Sequence, residues 1–272
     1  MMYKLIAIDM DGTLLRVDKT ISTVTQKAIQ MARAKGVKVV LASGRPIEGL
    51  VRYLEELDIS SHDDYVMSFN GSIVQNVKTK EVISKKILKG SDLSYLYELS
   101  KSLGANIHAF SNEGCITPKM NKYSDLEGEI NGIPVFKIDY ATISSEEDII
   151  KVMMVDEPEI LSEVIAKMPA EVYEKYTVVQ SAPYFLEFLN KESSKGTAVR
   201  ELALSLGIAR EEVMCIGDAG NDLDMIQFAG LGVAMGNAFD EVKEAADYIT
   251  KNNEEDGVAH VIEKFILGHL PA

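Results

Sequence analysis

The stretch Lys4-Leu5-Ile6-Ala7-Ile8-Asp9-Met10-Asp11-Gly12-Thr13 decides the fold. Its first part is a short apolar run that ends in carboxylates, the pattern of a buried strand in a parallel sheet. Asp9, Asp11 and Gly12 then fall just beyond the carboxyl end of that strand, where open α/β sheets bind their ligands. Gly12 permits the sharp exit that turns backbone N–H groups toward an anion.

The pattern extends on both sides of a break. Ser22 caps a predicted helix over 23–35 that stops at Gly36; a strand over 37–42, a helix opening at Pro46 and a strand over 65–69 ending at Asn70-Gly71 follow. This β-α-β-α-β order predicts a doubly wound parallel sheet with right-handed crossovers. After residue 190 the alternation resumes, with helices over 195–206, 221–229, 241–246 and 258–267 and strands over 212–216, 232–235 and 248–250. Within it, Gly230-Leu231-Gly232-Val233-Ala234-Met235-Gly236 has the wrong spacing for a dinucleotide fingerprint and reads as a buried strand. The middle differs: a helix over 92–103, short strands over 106–110 and 150–155, a polar stretch over 119–133, a helix over 158–167, and an antiparallel pair turning at Ala182-Pro183. The expected fold class is therefore α/β, a Rossmann-like doubly wound parallel sheet over 1–84 and 190–272, with an α+β cap domain inserted over 85–189 and hinges near 84–87 and 189–193.

Composition narrows the function. The 272 residues are 46% hydrophobic and 26% charged, an ordinary globular balance, and 28 basic against 42 acidic side chains give a net charge of −14. So acidic a surface repels polyphosphate backbones, so no nucleic-acid or anionic-membrane partner is expected. No apolar run is long enough for a signal peptide or a membrane span, and the expected location is cytoplasmic. Cys115 and Cys215 form no spacing motif and are expected as buried free thiols. His62, His108, His260 and His269 lack metal-ligand spacing and receive no catalytic role.

Three strand ends carry polar groups. Asp9 and Asp11 follow the first; Ser43-Gly44-Arg45 follows the second, with a hydroxyl and free N–H groups before a helix; Gly217-Asp218-Ala219-Gly220-Asn221-Asp222 follows the strand over 212–216. Four aspartates converging at one sheet edge repel one another unless a hard cation sits between them, and carboxylate oxygens suit Mg²⁺. Lys195, at the start of a helix where the dipole disfavours a cation, supplies a positive charge with a functional reason to be there.

These motifs resemble those of Cof-type phosphatases of the haloacid dehalogenase superfamily, over nearly the whole chain. The resemblance rests on Asp9 to Thr13, Ser43-Gly44-Arg45, Phe69-Asn70-Gly71, Lys195-Gly196, Gly217 to Asp222 and Glu255-Asp256-Gly257-Val258. Segments of the middle region, KVMMVD from Lys151, EKYTVV from Glu174 and SAPYFLE from Ser181, further resemble the cap of a sugar phosphatase of that group. The resemblance implies that Asp9 is the nucleophile that becomes an aspartyl-phosphate and that Asp11 is the general acid and base. It implies Mg²⁺ held by Asp9, the Asp11 carbonyl and Asp218, with Asp222 supporting from behind, and phosphoryl oxygens cradled by Met10, Ser43, Gly44, Lys195 and Asn221.

The substrate expected is a small phosphorylated metabolite, a sugar phosphate first, with a cap that closes over the sheet edge. Ser111, Asn112, Thr117 and Lys119 are candidate cap contacts to the substrate, each more readily read as a solvated loop residue. Two alternatives stay open: a phosphomutase or phosphotransferase using the same aspartyl-phosphate, and a non-catalytic phosphometabolite-binding protein. Oligomeric state is not readable.

Overall fold

A computed structural model describes residues 3–268, so Met1, Met2 and His269 lie outside the described residues. The chain divides into two compact units, 1–85 with 194–272, and 86–193. The first contributes strands β1 (Leu5–Asp9), β2 (Lys38–Ala42), β3 (Tyr65–Ser68), β4 (Ile73–Asn76) and β5 (Val82–Lys85). The second contributes β6 (Leu88–Lys89), β7 (Asn106–Ser111), β8 (Gly114–Thr117), β9 (Val135–Lys137), β10 (Asp148–Ile149), β11 (Lys151–Val155), β12 (Tyr176–Ala182) and β13 (Phe185–Asn190). The chain then returns to the first unit with β14 (Val213–Gly217), β15 (Leu231–Ala234) and β16 (Tyr248–Ile249).

In the first unit the sheet order is β16-β15-β14-β1-β2-β3-β4-β5. From β16 to β3 all neighbours are parallel, which places β1 at the centre with its carboxyl end beside those of β2 and β14. Side chains alternate across β1. Ile6 and Ile8 pack in the cluster with Ile29 of the helix Thr23–Ala34 and Val261 of the helix Gly257–Ile262, while Leu5 and Ala7 pack with Val199 and Leu202 of the helix Lys195–Ser205. Helices thus cover both faces, which is why the central strands read as continuous apolar runs. Ser22 Oγ accepts from the Thr25 N–H at 3.0 Å, and the turn after the helix closes at Gly36 with φ +85°.

The sheet is not wholly parallel as its β-α-β alternation suggests. β3 turns directly into β4, and β4 and β5 run antiparallel to their neighbours. Four-residue strands joined by short turns give little periodicity, and an antiparallel edge on a parallel sheet is a common termination.

In the second unit a six-stranded sheet runs β12-β13-β11-β7-β8-β9, antiparallel except between β8 and β9, beside a two-stranded ladder of β10 and β6. One face packs Ile107, Val152, Met154, Leu186 and Phe188 with Leu93, Leu96, Leu161 and Val164 from the helices Gly90–Leu103 and Pro158–Ala166. The alternate residues His108, Lys151 and Glu187 are polar and buried. The stretch over 119–133 forms the helix Lys122–Asn131, capped by Asn121 and ended by Gly132 at φ +65°. Its hydrophobic pattern is weak because the face it buries is itself polar: Ser124 against His108 Nδ1 at 3.0 Å, and Glu127 toward Lys151 Nζ at 3.7 Å. Thr117 is not a solvated loop residue: it is buried and donates to the Ile107 carbonyl at 2.8 Å. Strand β13 continues to Asn190, so the chain crosses back to the first unit between Ser193 and Ser194. Both cysteines are free and buried, and burial pushes the Cys115 thiol up to about 12.

Lys151 Nζ lies 3.2 Å from Glu187 Oε2 and 4.7 Å from the Phe110 ring centroid, deep in this unit. Removing one member of a buried charge set leaves the others uncompensated. Lys151→Met is expected to cost about 3–5 kcal/mol in urea unfolding, and the companion change Glu187→Gln is expected to recover part of that loss.

Candidate active site

Asp9 is the last residue of β1 and is buried. Lys195 opens its helix fully buried, and its Nζ donates to Asp9 Oδ1 at 2.5 Å and to Asp222 Oδ1 at 2.6 Å. The other oxygen of Asp222 accepts from the backbone N–H groups of Asp218 at 2.9 Å and Ala219 at 3.1 Å, so this carboxylate shapes the loop beyond β14 as well as pairing the lysine. Asp218 Oδ1 accepts from the Thr13 hydroxyl at 2.7 Å. Gly12 has φ +88°, and a Cβ there would lie 2.3 Å from Asp218 Oδ2, so both its backbone and its lack of a side chain are required.

Asp9, Asp218 and Asp222 each offer a carboxylate oxygen within 4.8 Å of the others. Asp11 does not join them, contrary to the expected four-aspartate cluster. Its carboxylate accepts two hydrogen bonds from Arg45, Nε at 3.0 Å and a terminal nitrogen at 2.7 Å, and a third from Lys19 Nζ at 2.8 Å. A bidentate guanidinium outcompetes a position beside three like charges.

Electrostatics follow this division. Burial holds the Asp9 carboxyl well above the usual carboxylate range, and the neighbouring Asp222 charge adds to the shift against the opposing pull of Lys195. Burial raises Asp218 too, and the Asp222 charge adds to it. Burial opposes ionisation of Lys195, but Asp222 and Asp9 outweigh it and hold the ammonium protonated. Burial also works against the Asp11 carboxylate, yet the hydrogen bonds from Arg45 and Lys19 bring it below its ordinary value.

The remaining expected residues sit around the same sheet edge. Ser43 is buried at the end of β2, and its Oγ accepts from the Arg45 N–H at 3.2 Å, which turns the loop. Asn221 donates from Nδ2 to Asn70 Oδ1 at 3.0 Å, and Gly44 lies against that same Asn70 side chain. The Met10 side chain belongs to the apolar core, leaving only its backbone for a ligand.

Several contributors carry no readable spacing. Asn237, after β15, donates from Nδ2 to the Gly12 carbonyl at 2.8 Å, and Asn253 donates to the Leu15 carbonyl at 2.8 Å. Arg16 pairs with Asp256 at 3.0 Å, so the segment bearing Glu255-Asp256-Gly257-Val258 fastens the loop that follows Asp9. Lys19 and Arg45 were findable only as nearby cations; which carboxylate they pair with is a matter of tertiary geometry.

With pKa values raised on folding, Asp9 and Asp218 favour the native state when protonated. Their contribution is fully present below about pH 4, the ordinary carboxylate value, and is lost as pH rises through their folded values. In thermal melts across pH, the unmodified protein is therefore expected to lose stability relative to Asp218→Asn as pH rises above about 4. Asp218→Asn is expected to flatten the pH dependence, and an unchanged profile in that variant would count against the shared cluster.

Residues 6–262 match the haloacid dehalogenase-like hydrolases. The chain is 48% identical over 268 residues to the protein named "Putative phosphatase YxeH" of Bacillus subtilis, covering 98% of this chain and 99% of that one. The crystal structure of a haloacid dehalogenase-like hydrolase from Bacteroides thetaiotaomicron is similar at 35% identity with a TM-score of 0.86, over 96% of this chain and 99% of that one. The HAD subclass IIB sugar phosphatase BT4131 is similar at 27% identity with a TM-score of 0.79, over 96% and 98% of the two chains. A match over almost the entire length, together with the Asp9, Lys195 and Asp218-to-Asp222 arrangement at the sheet edge, makes this chain a member of the haloacid dehalogenase-like hydrolase family.

Proposed function

We propose that the protein is a Mg²⁺-dependent phosphatase of small phosphomonoesters, sugar phosphates foremost, working through an aspartyl-phosphate. The observation that carries this is the cluster of Asp9, Asp218 and Asp222, the first and last of them buried, with a single lysine against it. Three carboxylates opposed by one ammonium are short of positive charge, and an all-oxygen set of this kind fits a hard divalent cation. Asp9, the Asp11 carbonyl and Asp218 would hold it, with Asp222 keeping the loop and Lys195 in place. When bound, the ion supplies charge neutralisation for the approaching phosphate.

A carboxylate oxygen of Asp9 attacks phosphorus, and the bond to the leaving alkoxide breaks as that oxygen takes a proton from Asp11. Asp11 then removes a proton from water, which attacks the aspartyl-phosphate and releases inorganic phosphate, restoring Asp9. Asp11 is engaged by Arg45 and Lys19, so its acid–base role requires it to exchange those partners for the leaving group. The Met10 and Gly44 N–H groups, Ser43, Lys195 and Asn221 bear the charge that spreads over the phosphoryl oxygens. The sugar-phosphate class is supported by the cap-like segments from Lys151, Glu174 and Ser181 and by the likeness to a sugar phosphatase.

A panel of sugar phosphates, nucleotides and acyl phosphates assayed with Mg²⁺ for released phosphate tests the proposal. Asp9→Asn is expected to lower turnover by roughly 10³-fold or more, and chelation is expected to abolish it reversibly. Movement of phosphate to another hydroxyl with little free phosphate would make the protein a mutase instead. Turnover of no compound in the panel, with binding retained, would make it a phosphometabolite-binding protein.

A further inference from the structure

The motif Phe69-Asn70-Gly71 has no part in the chemistry above, yet its backbone is unusual. All three residues have positive φ, at 51°, 55° and 88°, in the turn that joins β3 to β4. Side chains other than asparagine and glycine rarely adopt this region, so a run of three is held by its surroundings.

Those surroundings are three separate segments of the proposed phosphoryl site. The Asn70 N–H donates to the Ser43 carbonyl at 2.8 Å and the Phe69 N–H to the Arg45 carbonyl at 3.0 Å, which fixes the turn to the Ser43-Gly44 loop. A Cβ on Gly44 would lie 3.1 Å from Asn70 Nδ2, so the amide rests against that loop. A Cβ on Gly71 would lie 2.3 Å from the Ser194 carbonyl, and Ser194 caps the helix that begins at Lys195. The Asn70 side chain is buried, and its Oδ1 accepts from Asn221 Nδ2 at 3.0 Å. An amide nitrogen carries two hydrogens: one goes to Asn70, and the other remains for a ligand in a fixed direction.

We infer that Asn70 is a positioning residue, which orients the Asn221 amide and sets the spacing of the Ser43-Gly44 loop and the Lys195 helix start around one phosphoryl group. This rests on the proposed assignment of those residues to phosphoryl oxygens.

The test compares Asn70→Gly, Asn221→Ala and the double variant with the unmodified protein, using 4-nitrophenyl phosphate for kcat and KM and inorganic phosphate for its inhibition constant. Glycine keeps the positive φ and removes only the amide. Asn70→Gly is expected to raise KM and the phosphate inhibition constant about tenfold. The double variant is expected to be no worse than Asn221→Ala alone, since residues acting as one unit are non-additive. Multiplying effects, or an unaltered phosphate inhibition constant in folded Asn70→Gly, would overturn the inference. If Asn70→Gly does not fold, Asn70→Asp keeps both the left-handed turn and the acceptor for Asn221. Because that acceptor is what the inference needs, the phosphate inhibition constant of Asn70→Asp is expected to lie closer to that of the unmodified protein than to that of Asn221→Ala at salt concentrations that screen the added charge, and a loss as large as in Asn221→Ala would overturn the inference. Asp9→Asn, run alongside, separates the two levels: full activity there removes the phosphatase reading, while calorimetric binding of inorganic phosphate to the Asn70 variants still decides the role of Asn70.

Discussion

A lysine ammonium buried between two carboxylates holds the site together. Lys195 reaches Asp9 across 186 residues of sequence and Asp222 across 27. None of the three charges is tolerable alone in an apolar interior, where an unpaired ion costs on the order of several kcal/mol even after relaxation. Together they are satisfied, because Asp222 spends its second oxygen on two backbone N–H groups and Asp9 sits at the end of the central strand. The pairing ties the first strand of the chain to a helix that begins only after the second unit is complete. The site can therefore form only when the segments on both sides of the insertion have folded onto one sheet.

The central elements were legible because their chemistry is local. KLIAID is apolar without interruption, Ser22 and Gly36 punctuate a helix, and DMDGT leaves no apolar continuation of the strand. The meeting of Asp9, Asp218 and Asp222 follows from strand order, since parallel neighbours deliver their carboxyl ends to one edge, whereas Lys195 is brought there by the helix it opens. The destination of Asp11 was not legible. Counting carboxylates predicts four in one cluster, whereas the choice between joining three like charges and accepting a guanidinium fork depends on Arg45 and Lys19 reaching it in space. The helix Lys122–Asn131 escaped for a different reason. A helix is legible through an apolar face, and this one buries Ser124 and Glu127 toward His108 and Lys151 on a polar side of the sheet.

An acidic protein that is to receive a phosphate must reverse its field locally, and the charges at the sheet edge show how far the chain goes alone. Fully ionised, Asp9, Asp218, Asp222 and Lys195 carry two negative charges in excess, while Asp11, Arg45 and Lys19 carry one positive charge in excess. Burial and the neighbouring Asp222 charge raise Asp9 and Asp218, so without a cation at the edge both hold a proton more readily than a carboxylate in water does. A protonated Asp9 is a poor nucleophile. On the proposed reading, Asp9, the Asp11 carbonyl and Asp218 would hold a divalent cation whose charge would make the edge receptive to an anion and favour the ionised Asp9 that attack needs. Asp11 is the opposite case: Arg45 and Lys19 keep it charged, so it can carry a proton to the leaving group only once it has given up those two cations. The two carboxylates of the proposal are thus shifted in opposite directions, each away from the state its first task needs, so the proposed chemistry requires both surroundings to change on binding: Asp9 would gain a cation beside it, and Asp11 would lose two.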